Sequence, residues 1–207
     1  MSSACASFFL PGLVHQFGNL LLTVQGHVLQ ATQDNLTAVQ DVVSQQVQRG
    51  GASLEVVRAL LGDDTGTPRV AQELLAQLAE LGRVPARERG VTLELRGQPP
   101  RQHIYVVGDV FLRGCAAAIR SWMTSLAPGA AGAVTLAMRG AGDGGVVVDI
   151  GFEPAEGTLP FPLEPESTVE GIAAAMARAL GRAVARADGT GVELRFPPAG
   201  ETFVAEA

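Results

Sequence analysis

Several residue types are missing from this 207-residue chain or scarce in it. It has no lysine, since all 15 basic residues are arginine, and this excludes lysine nucleophiles, Schiff-base chemistry and the GxxxxGK[ST] phosphate loop. Its two cysteines, Cys5 and Cys115, lie far apart, so neither a zinc site nor a disulfide framework is indicated. The net charge of −6 argues against a nucleic-acid groove or a basic membrane surface.

Long apolar runs are also missing. No segment reaches the roughly 18 consecutive apolar residues of a transmembrane helix, and the N-terminal apolar run lacks the basic region of a signal peptide. The content of 47% hydrophobic and 17% charged residues is typical of a globular protein. We therefore expect a soluble, cytoplasmic protein that binds neither nucleic acid nor membrane.

The first helix is predicted at residues 10–30, with Pro11 in its first turn. At about 100° per residue, one face carries the apolar residues Leu10, Leu13, Phe17, Leu20, Leu21, Val24 and Val28. The opposite face carries His15, Asn19, Leu22 and Gly26. Asn19 lies one turn beyond His15, where its amide reaches the imidazole or a group bound to it. On this pattern alone, an idle surface histidine explains His15 as well as a functional one does.

A second helix is predicted at residues 35–61, unless Gly50-Gly51 kinks or breaks it. Its apolar residues follow a heptad-like spacing: Leu36, Val39, Val43, Val47, Gly50, Leu54, Val57 and Leu61. Two amphipathic helices joined by a short turn cannot bury both apolar faces alone. Pairing two copies about a two-fold axis would bury them, so we expect a homodimer with a four-helix bundle.

Residues 63–68 have the composition of a linker, so we divide the chain into a helical hairpin at 1–66 and a second domain at 67–207. Strands of the second domain are predicted at 91–95, 103–107, 133–138, 146–150, 183–187 and 191–196. Helices are predicted at 69–81, 109–126 and 168–180. Pro85 should end or kink the chain after the first of these helices, Asp109 caps the second, and Asp188-Gly189 signals a hairpin. The order favours a mixed sheet with helices on one face, and the glycine-rich residues 139–145 fit a turn better than a phosphate loop.

The sequence HQFGNLL at residues 15–21, together with Gly26, resembles the HDFNNLL…G form of the H-box of bacterial sensor histidine kinases. Residues 49–52, followed by Leu54 and Leu60-Leu61, resemble the second helix of their histidine phosphotransfer domain. Residues 69–198 are similar in element order to their ATP-binding domain. The resemblance implies an α+β fold, in which a helical hairpin forms a dimeric four-helix bundle and is followed by an α/β sandwich.

The match departs from the family at the positions that hold Mg-ATP. The family uses asparagines on the helix that begins here at Asp109, but the only asparagines of this chain are Asn19 and Asn35. Trp122 and Met123 stand near where such an amide is needed, and neither offers a hard oxygen to Mg²⁺.

The glycine motifs of the family are reduced as well. The adenine-reading motif is half present as Asp149-Ile150-Gly151, and the phosphate-cradling motif is reduced to Gly171. Residues 153–167 are short for an ordered ATP lid. We therefore expect a degenerate domain that keeps the fold and has lost the nucleotide, with no cofactor and no metal site of its own.

Gln16 stands where the family has an acidic residue beside its histidine, and glutamine cannot act as a general base. A protein that accepts phosphate from a phospho-aspartate, a high-energy donor, could manage without that base. The first hypothesis is thus a histidine phosphotransferase, in which His15 and Asn19 act on a response-regulator receiver domain that supplies Mg²⁺. Gln16, Leu22 and Gly26 would form the surface on which the receiver docks.

Two alternatives stay open at this point. One is a non-catalytic pseudo-histidine-kinase that binds or sequesters a regulator or a kinase, in which His15 is a relic. The other is an active kinase with divergent motifs.

Overall fold

The computed structural model describes residues 2–63, 66–98, 100–126, 130–156, 182–185 and 191–199. Within these ranges the chain forms four α-helices, namely α1 (Ser2–Leu29), α2 (Leu36–Leu61), α3 (Ala71–Glu88) and α4 (Gly108–Ser125). The strands within the same ranges are β1 (Pro68–Val70), β2 (Val91–Arg96), β3 (Tyr105–Val107), β4 (Gly132–Gly140), β5 (Val146–Pro154), β6 (Arg182–Ala185) and β7 (Gly191–Phe196). The predicted helix at 168–180, with Gly171, and the Asp188-Gly189 turn lie outside the described residues.

The strands of the described ranges form two sheets. The larger has the order β2-β4-β5-β7-β6, in which β2 runs parallel to β4 and the other neighbours are antiparallel. Strands β1 and β3 form a separate antiparallel pair. The predicted α+β class, with a helical hairpin followed by helices on a mixed sheet, is confirmed.

The large sheet is apolar on one face because its strands alternate. On β5 the core-facing side chains are Val146, Val148, Ile150 and Phe152. Helix α4 packs against β5, and helix α3 packs against β2. The hairpin packs on those helices in turn. The resulting core is continuous from Phe9 of α1 and Leu60 of α2 to the sheet, so the described parts of the two predicted domains share one apolar interior.

The other face of the sheet carries ion pairs. Arg139 on β4 bridges Asp149 on β5 and Glu193 on β7. Arg96, on the edge strand β2, contacts Glu94 of the same strand and Glu153 of β5. Such exposed pairs contribute at most about 1 kcal/mol each, so the apolar face supplies most of the stabilisation.

Helix α1 begins at Ser2, so the predicted start at residue 10 is wrong. Cys5, Ala6 and Phe9 are buried in the core, and this tertiary packing extends the helix by two turns on the N-terminal side of Pro11. Pro11 therefore lies inside the helix, not in its first turn. A proline inside a helix destabilises it by removing a backbone hydrogen bond. The packing of the helix before and after Pro11 must offset this loss.

The predicted apolar face of α1 divides into two parts. Leu13, Phe17, Leu20 and Val24 are partly covered by the chain itself. Leu10, Leu21 and Val28 remain 49–64% exposed. Helix α2 runs unbroken through Gly50-Gly51, because Gly50 is buried where Leu20 of α1 crosses it and the missing side chain gives Leu20 room.

Three other local predictions are wrong. Pro68–Val70 forms a strand that pairs with β3, whereas the sequence placed these residues in a linker and a helix. Helix α3 continues through Pro85 to Glu88, which its packing on α1 and β2 supports. The N-cap of α4 is Val107, so Asp109 lies inside the first turn, where its carboxylate accepts a hydrogen bond from Arg113.

Helices α1 and α3 cross at Gly12, which we call the Gly12 crossing. A Cβ atom at Gly12 would overlap the backbone carbonyl of Leu81. Pro85 has no N–H to donate to that carbonyl, which lies four residues before it. The carbonyl therefore faces a glycine on the neighbouring helix at a point where the regular helical donor is missing.

Among the described residues, one helix, Ala4–Leu29, is long and apolar enough to cross a membrane by length and composition alone. About 28% of its most apolar window is buried inside the protein. A core helix passes the same test, and the N-terminal half of α1 has the contacts of one.

The Gly12 crossing predicts that Gly12→Ala destabilises the fold. The methyl group meets rigid backbone, so we expect a loss of about 2 kcal/mol or more in the free energy of unfolding, measured in urea. Gly18→Ala on the same helix is the matched control, because nothing lies within 4 Å of the position that its methyl group would take. It should stabilise the protein by about 0.5–1 kcal/mol. Equal effects of the two substitutions would show that the crossing is not tight.

Candidate functional site

His15 lies on the exposed side of α1, one turn beyond the Gly12 crossing. The hydrophobic side of this helix, with Phe9, is turned toward α3 and fixes the rotation of the helix about its axis. That rotation brings His15 to the surface with room around its ring.

Asn19 is the hydrogen-bond partner of His15. Its amide nitrogen Nδ2 lies 3.1 Å from Nε2 of the imidazole, one helical turn away. An amide N–H only donates, so Nε2 is the acceptor and the ring proton is on Nδ1. The pair thus selects one tautomer of a neutral imidazole, with a nucleophilic lone pair on the outer nitrogen.

Gln16 is half-buried and faces the second helix of the hairpin. Its Oε1 accepts a hydrogen bond of 2.5 Å from the hydroxyl of Ser53, which also lies 3.1 Å from the backbone oxygen of Arg49. The side chain of Gln16 is therefore occupied in joining α1 to α2. It does not contact His15 among the described hydrogen bonds.

Leu22 and Gly26 follow Asn19 along the same side of α1. Leu22 is 69% exposed, and a Cβ atom at Gly26 would meet nothing within 4 Å. These two residues therefore leave an open apolar surface beside His15 and Asn19.

The residues of the second domain that the sequence comparison singled out lie in the core and in the sheet. Trp122 and Met123 are buried in the core, on the inner side of α4. Asp149 lies on the outer face of the sheet, where its carboxylate pairs with Arg139. Gly151 follows in the middle of the β5 ladder and opposes Thr135 and Gly191.

The described ranges contain no other reactive cluster. No group of three or more His, Cys, Asp or Glu side chains in them is arranged to hold a metal ion. Cys5 and Cys115 are buried, and burial raises the pKa of both thiols, so they stay protonated at neutral pH.

Sequence reasoning missed the neighbours of this site across the hairpin. Ser53, Gln46 and Gln77 come from α2 and α3 and line a cleft next to Asn19. Gln77 carries a weak signal, because it is a polar residue beside the apolar positions Leu74 and Leu78. Nothing in the sequence pairs Ser53 with Gln16, since 37 residues separate them.

No family model and no curated protein matches the chain. Among solved structures, it is similar to the histidine kinase AdeS of Acinetobacter baumannii, with a TM-score of 0.45 and 10% identity over 89% of this chain and 98% of that one. A second similar structure is the histidine kinase domain of the Erythrobacter litoralis EL346 blue-light activated histidine kinase. Its TM-score is 0.45, and the identity is 11% over 87% of this chain and 96% of that one. It is also similar to a bacterial phosphotransferase, with a TM-score of 0.41 and 9% identity over 94% of this chain and 96% of that one. Function must still be inferred from the residues of this chain.

The His15–Asn19 contact predicts a tautomer preference that Asn19→Ala removes. Losing a hydrogen bond worth about 1 kcal/mol should change the ratio of Nδ1–H to Nε2–H imidazole about fivefold. Long-range proton–nitrogen NMR correlations of the neutral rings measure this ratio directly. His27, half-buried on the same helix, is the internal control and should keep its ratio. An unchanged ratio at His15 would mean that Asn19 does not set its tautomer.

Proposed function

We propose that this protein is a dimeric histidine phosphotransferase, a relay that takes a phosphoryl group from a receiver-domain aspartate on His15 and passes it to another receiver. The observation that carries the proposal is the exposed imidazole of His15, whose Nε2 lies 3.1 Å from the amide nitrogen of Asn19. A neutral imidazole with a defined lone pair is what attack on an acyl phosphate requires.

The transfer step needs no general base from this protein. The Nε2 lone pair of His15 attacks phosphorus, the bond from phosphorus to the aspartate oxygen breaks, and the aspartate leaves as a carboxylate. The ring is then an imidazolium that carries the Nδ1 proton, and this proton passes to solvent. Asn19 must release Nε2 before the attack, and its amide N–H can then donate to a phosphoryl oxygen.

The absence of an acidic neighbour to His15 fits this direction of transfer. Gln16 is held by Ser53 and lacks a basic group, so it cannot assist proton removal. An acyl phosphate is a strong enough donor for an unassisted imidazole. In the proposed complex the receiver supplies Mg²⁺ and its acidic pocket, and this chain binds no nucleotide and no metal.

Docking of the receiver is assigned to the side of α1 that carries His15. Leu22 and Gly26 supply an exposed apolar residue and a gap beside the ring. Gln16 would contribute by fixing the spacing of α1 and α2 through Ser53. Such a flat, partly apolar surface suits a transient protein partner.

A second copy of the chain is proposed to cover the apolar stripe of the hairpin. This stripe consists of eight side chains that are 44–65% exposed: Leu10, Val14, Leu21 and Val28 on α1, and Leu36, Val47, Leu54 and Leu61 on α2. Their spacing is that of positions in a heptad repeat, which left-handed bundles bury. His15 lies about 120° around α1 from the stripe, so the second copy would leave it accessible.

Phosphotransfer is tested with purified phosphorylated receivers of the source organism. The wild-type protein should discharge a cognate receiver and become labelled on His15, and His15→Gln should abolish the label. Asn19→Ala should slow transfer about tenfold, because a donor to the phosphoryl group is lost. His27→Gln on the same helix is the matched control and should transfer normally.

Three outcomes would contradict the relay. Labelling of His15 by Mg-ATP alone would identify a kinase. Unimpaired receiver binding and cellular function of His15→Gln would identify a non-catalytic binding protein. Failure to discharge any receiver of a complete panel would leave His15 without the proposed role.

The dimer is tested by sedimentation at micromolar concentration. Leu21→Glu or Leu54→Glu should convert a dimer to a monomer, because each places a charge in the buried stripe. Leu22→Glu is the control: it is equally exposed but lies off the stripe, so it should remain dimeric and weaken receiver docking instead. A wild-type protein that is monomeric would rule out this assembly.

A further inference from the structure

Two large apolar side chains of α1 lie outside the stripe that a second copy is proposed to cover. They are Leu22, which is 69% exposed, and Leu29, which is 77% exposed. No other large hydrophobic side chain in the described part of the chain is as exposed as these two. Both lie about 90° around the helix from the stripe. A second copy bound to the stripe therefore leaves both leucines in contact with water.

These leucines continue a line of residues that starts at His15. His15, Asn19, Leu22, Gly26 and Leu29 follow each other in steps of four and three residues, the spacing of the side of a helix that faces a partner. The line is about 21 Å long, at about 1.5 Å per residue. A Cβ atom at Gly26 would meet nothing within 4 Å, so a gap separates the two leucines. We call these five residues the His15 face.

The His15 face lies in a part of the chain that has almost no charge. Helix α1 has no aspartate, glutamate or arginine among its 28 residues. Between positions 13 and 48 the only such residues are Asp34 and Asp41. Asp34 lies in the turn at the far end of the hairpin. Asp41 lies about 160° around α2 from the buried Val39, on the exposed side of that helix.

Charged side chains become frequent where the hairpin meets the rest of the protein. Arg49 is the first of them, and it lines a cleft together with Asn19, on the opposite side of Asn19 from Leu22. Glu55 of the same helix pairs with Arg69 of β1. The charges are thus concentrated on the body of the protein, and the outer half of the hairpin, with most of the His15 face, is nearly free of them.

We propose that the His15 face binds a receiver through uncharged, apolar contacts and accepts only receivers whose surface beside the phosphorylated aspartate is itself uncharged. This inference rests on the proposed function and names the chemistry of its partner. A compact domain of about 100 residues has a radius of gyration of about 13 Å. A domain that brings its aspartate to Nε2 of His15 therefore also covers Leu22, about 10 Å further along the helix.

The absence of charge makes the face selective. A charged side chain of the partner that is placed against Leu22 or Leu29 loses its water and finds no opposite charge, which is costly. An apolar side chain of the partner can instead enter the gap at Gly26 and pack between the leucines. Among receivers of similar shape, those with charges beside the aspartate are rejected, and this rejection provides the specificity.

Ionic strength tests the proposal on the full-length protein. Binding is measured with each purified receiver of the source organism in its unphosphorylated form, so that docking is observed apart from transfer. Between about 50 and about 500 mM NaCl the Debye length falls about threefold, which screens charged contacts. We expect the dissociation constant of a receiver that binds to change less than about threefold over this range. An increase of about tenfold or more would overturn the proposal.

Substitutions of opposite charge at one position give a second test. Leu22→Glu and Leu22→Arg should each weaken binding about tenfold or more, and to a similar extent, because neither charge finds a partner. Wild-type affinity in either variant would indicate a charged partner surface and contradict the proposal. Leu95→Glu makes the same change at an exposed leucine of β2, outside the hairpin, and is the matched control that should bind normally.

Gly26→Ala separates docking from folding. The methyl group has open space in the free protein and alanine favours the helix, so the urea midpoint of unfolding should rise. The same methyl group fills part of the gap between the leucines, so binding of the receiver should weaken about threefold or more. Unchanged affinity would refute the contact at Gly26.

Docking and transfer fail in distinguishable ways. A receiver that binds independently of salt but is not discharged when phosphorylated would refute the relay and leave the uncharged docking face. A receiver that is discharged but whose binding depends strongly on salt would refute the uncharged docking face and leave the relay. Binding to none of the receivers would refute both.

Discussion

The close approach of α1 to α3 at Gly12 is the constraint on which the rest of the structure depends. A glycine without Cβ meets the carbonyl of Leu81, and Pro85 withholds the donor that this carbonyl would otherwise face. The approach lets Phe9 enter the core beside Gly82, and it joins the hairpin to the helices that cover the sheet. Because His15 follows one turn later on the same helix, the crossing also fixes how that histidine is presented.

The candidate site consists of two hydrogen-bonded pairs on neighbouring sides of α1. Asn19 with His15 determines which imidazole nitrogen holds the lone pair, and Gln16 with Ser53 holds the two hairpin helices at a set spacing. A cleft lined by Gln16, Asn19 and Ser53 lies between these pairs. The histidine bonded to Asn19 and the exposed surface beside it are the features on which the proposed function rests.

The sequence predicted the parts of the fold that depend on periodicity and missed those that depend on contacts. The ladder strands β4, β5 and β7 and the hairpin were recognisable from alternation and from helical spacing, and so was the exposed position of His15. The start of α1 was missed because Phe9 is buried by helices encoded far away, and the end of α3 was missed because packing overrides the usual effect of Pro85. Ser53 and Gln77 were missed for the same reason, since only the folded chain brings them to Gln16 and Asn19.

The edge strand β2 has a consequence for how copies of the chain can meet. Among the described strands it pairs only with β4, so its other side is an edge, and an edge of this kind is a template for strand addition. The guanidinium of Arg96 donates to the carboxylates of Glu94 and Glu153, and this places a charged and solvated bar along that edge. A neighbouring strand would have to strip water from this bar before it could pair. Strand addition at the β2 edge is therefore disfavoured.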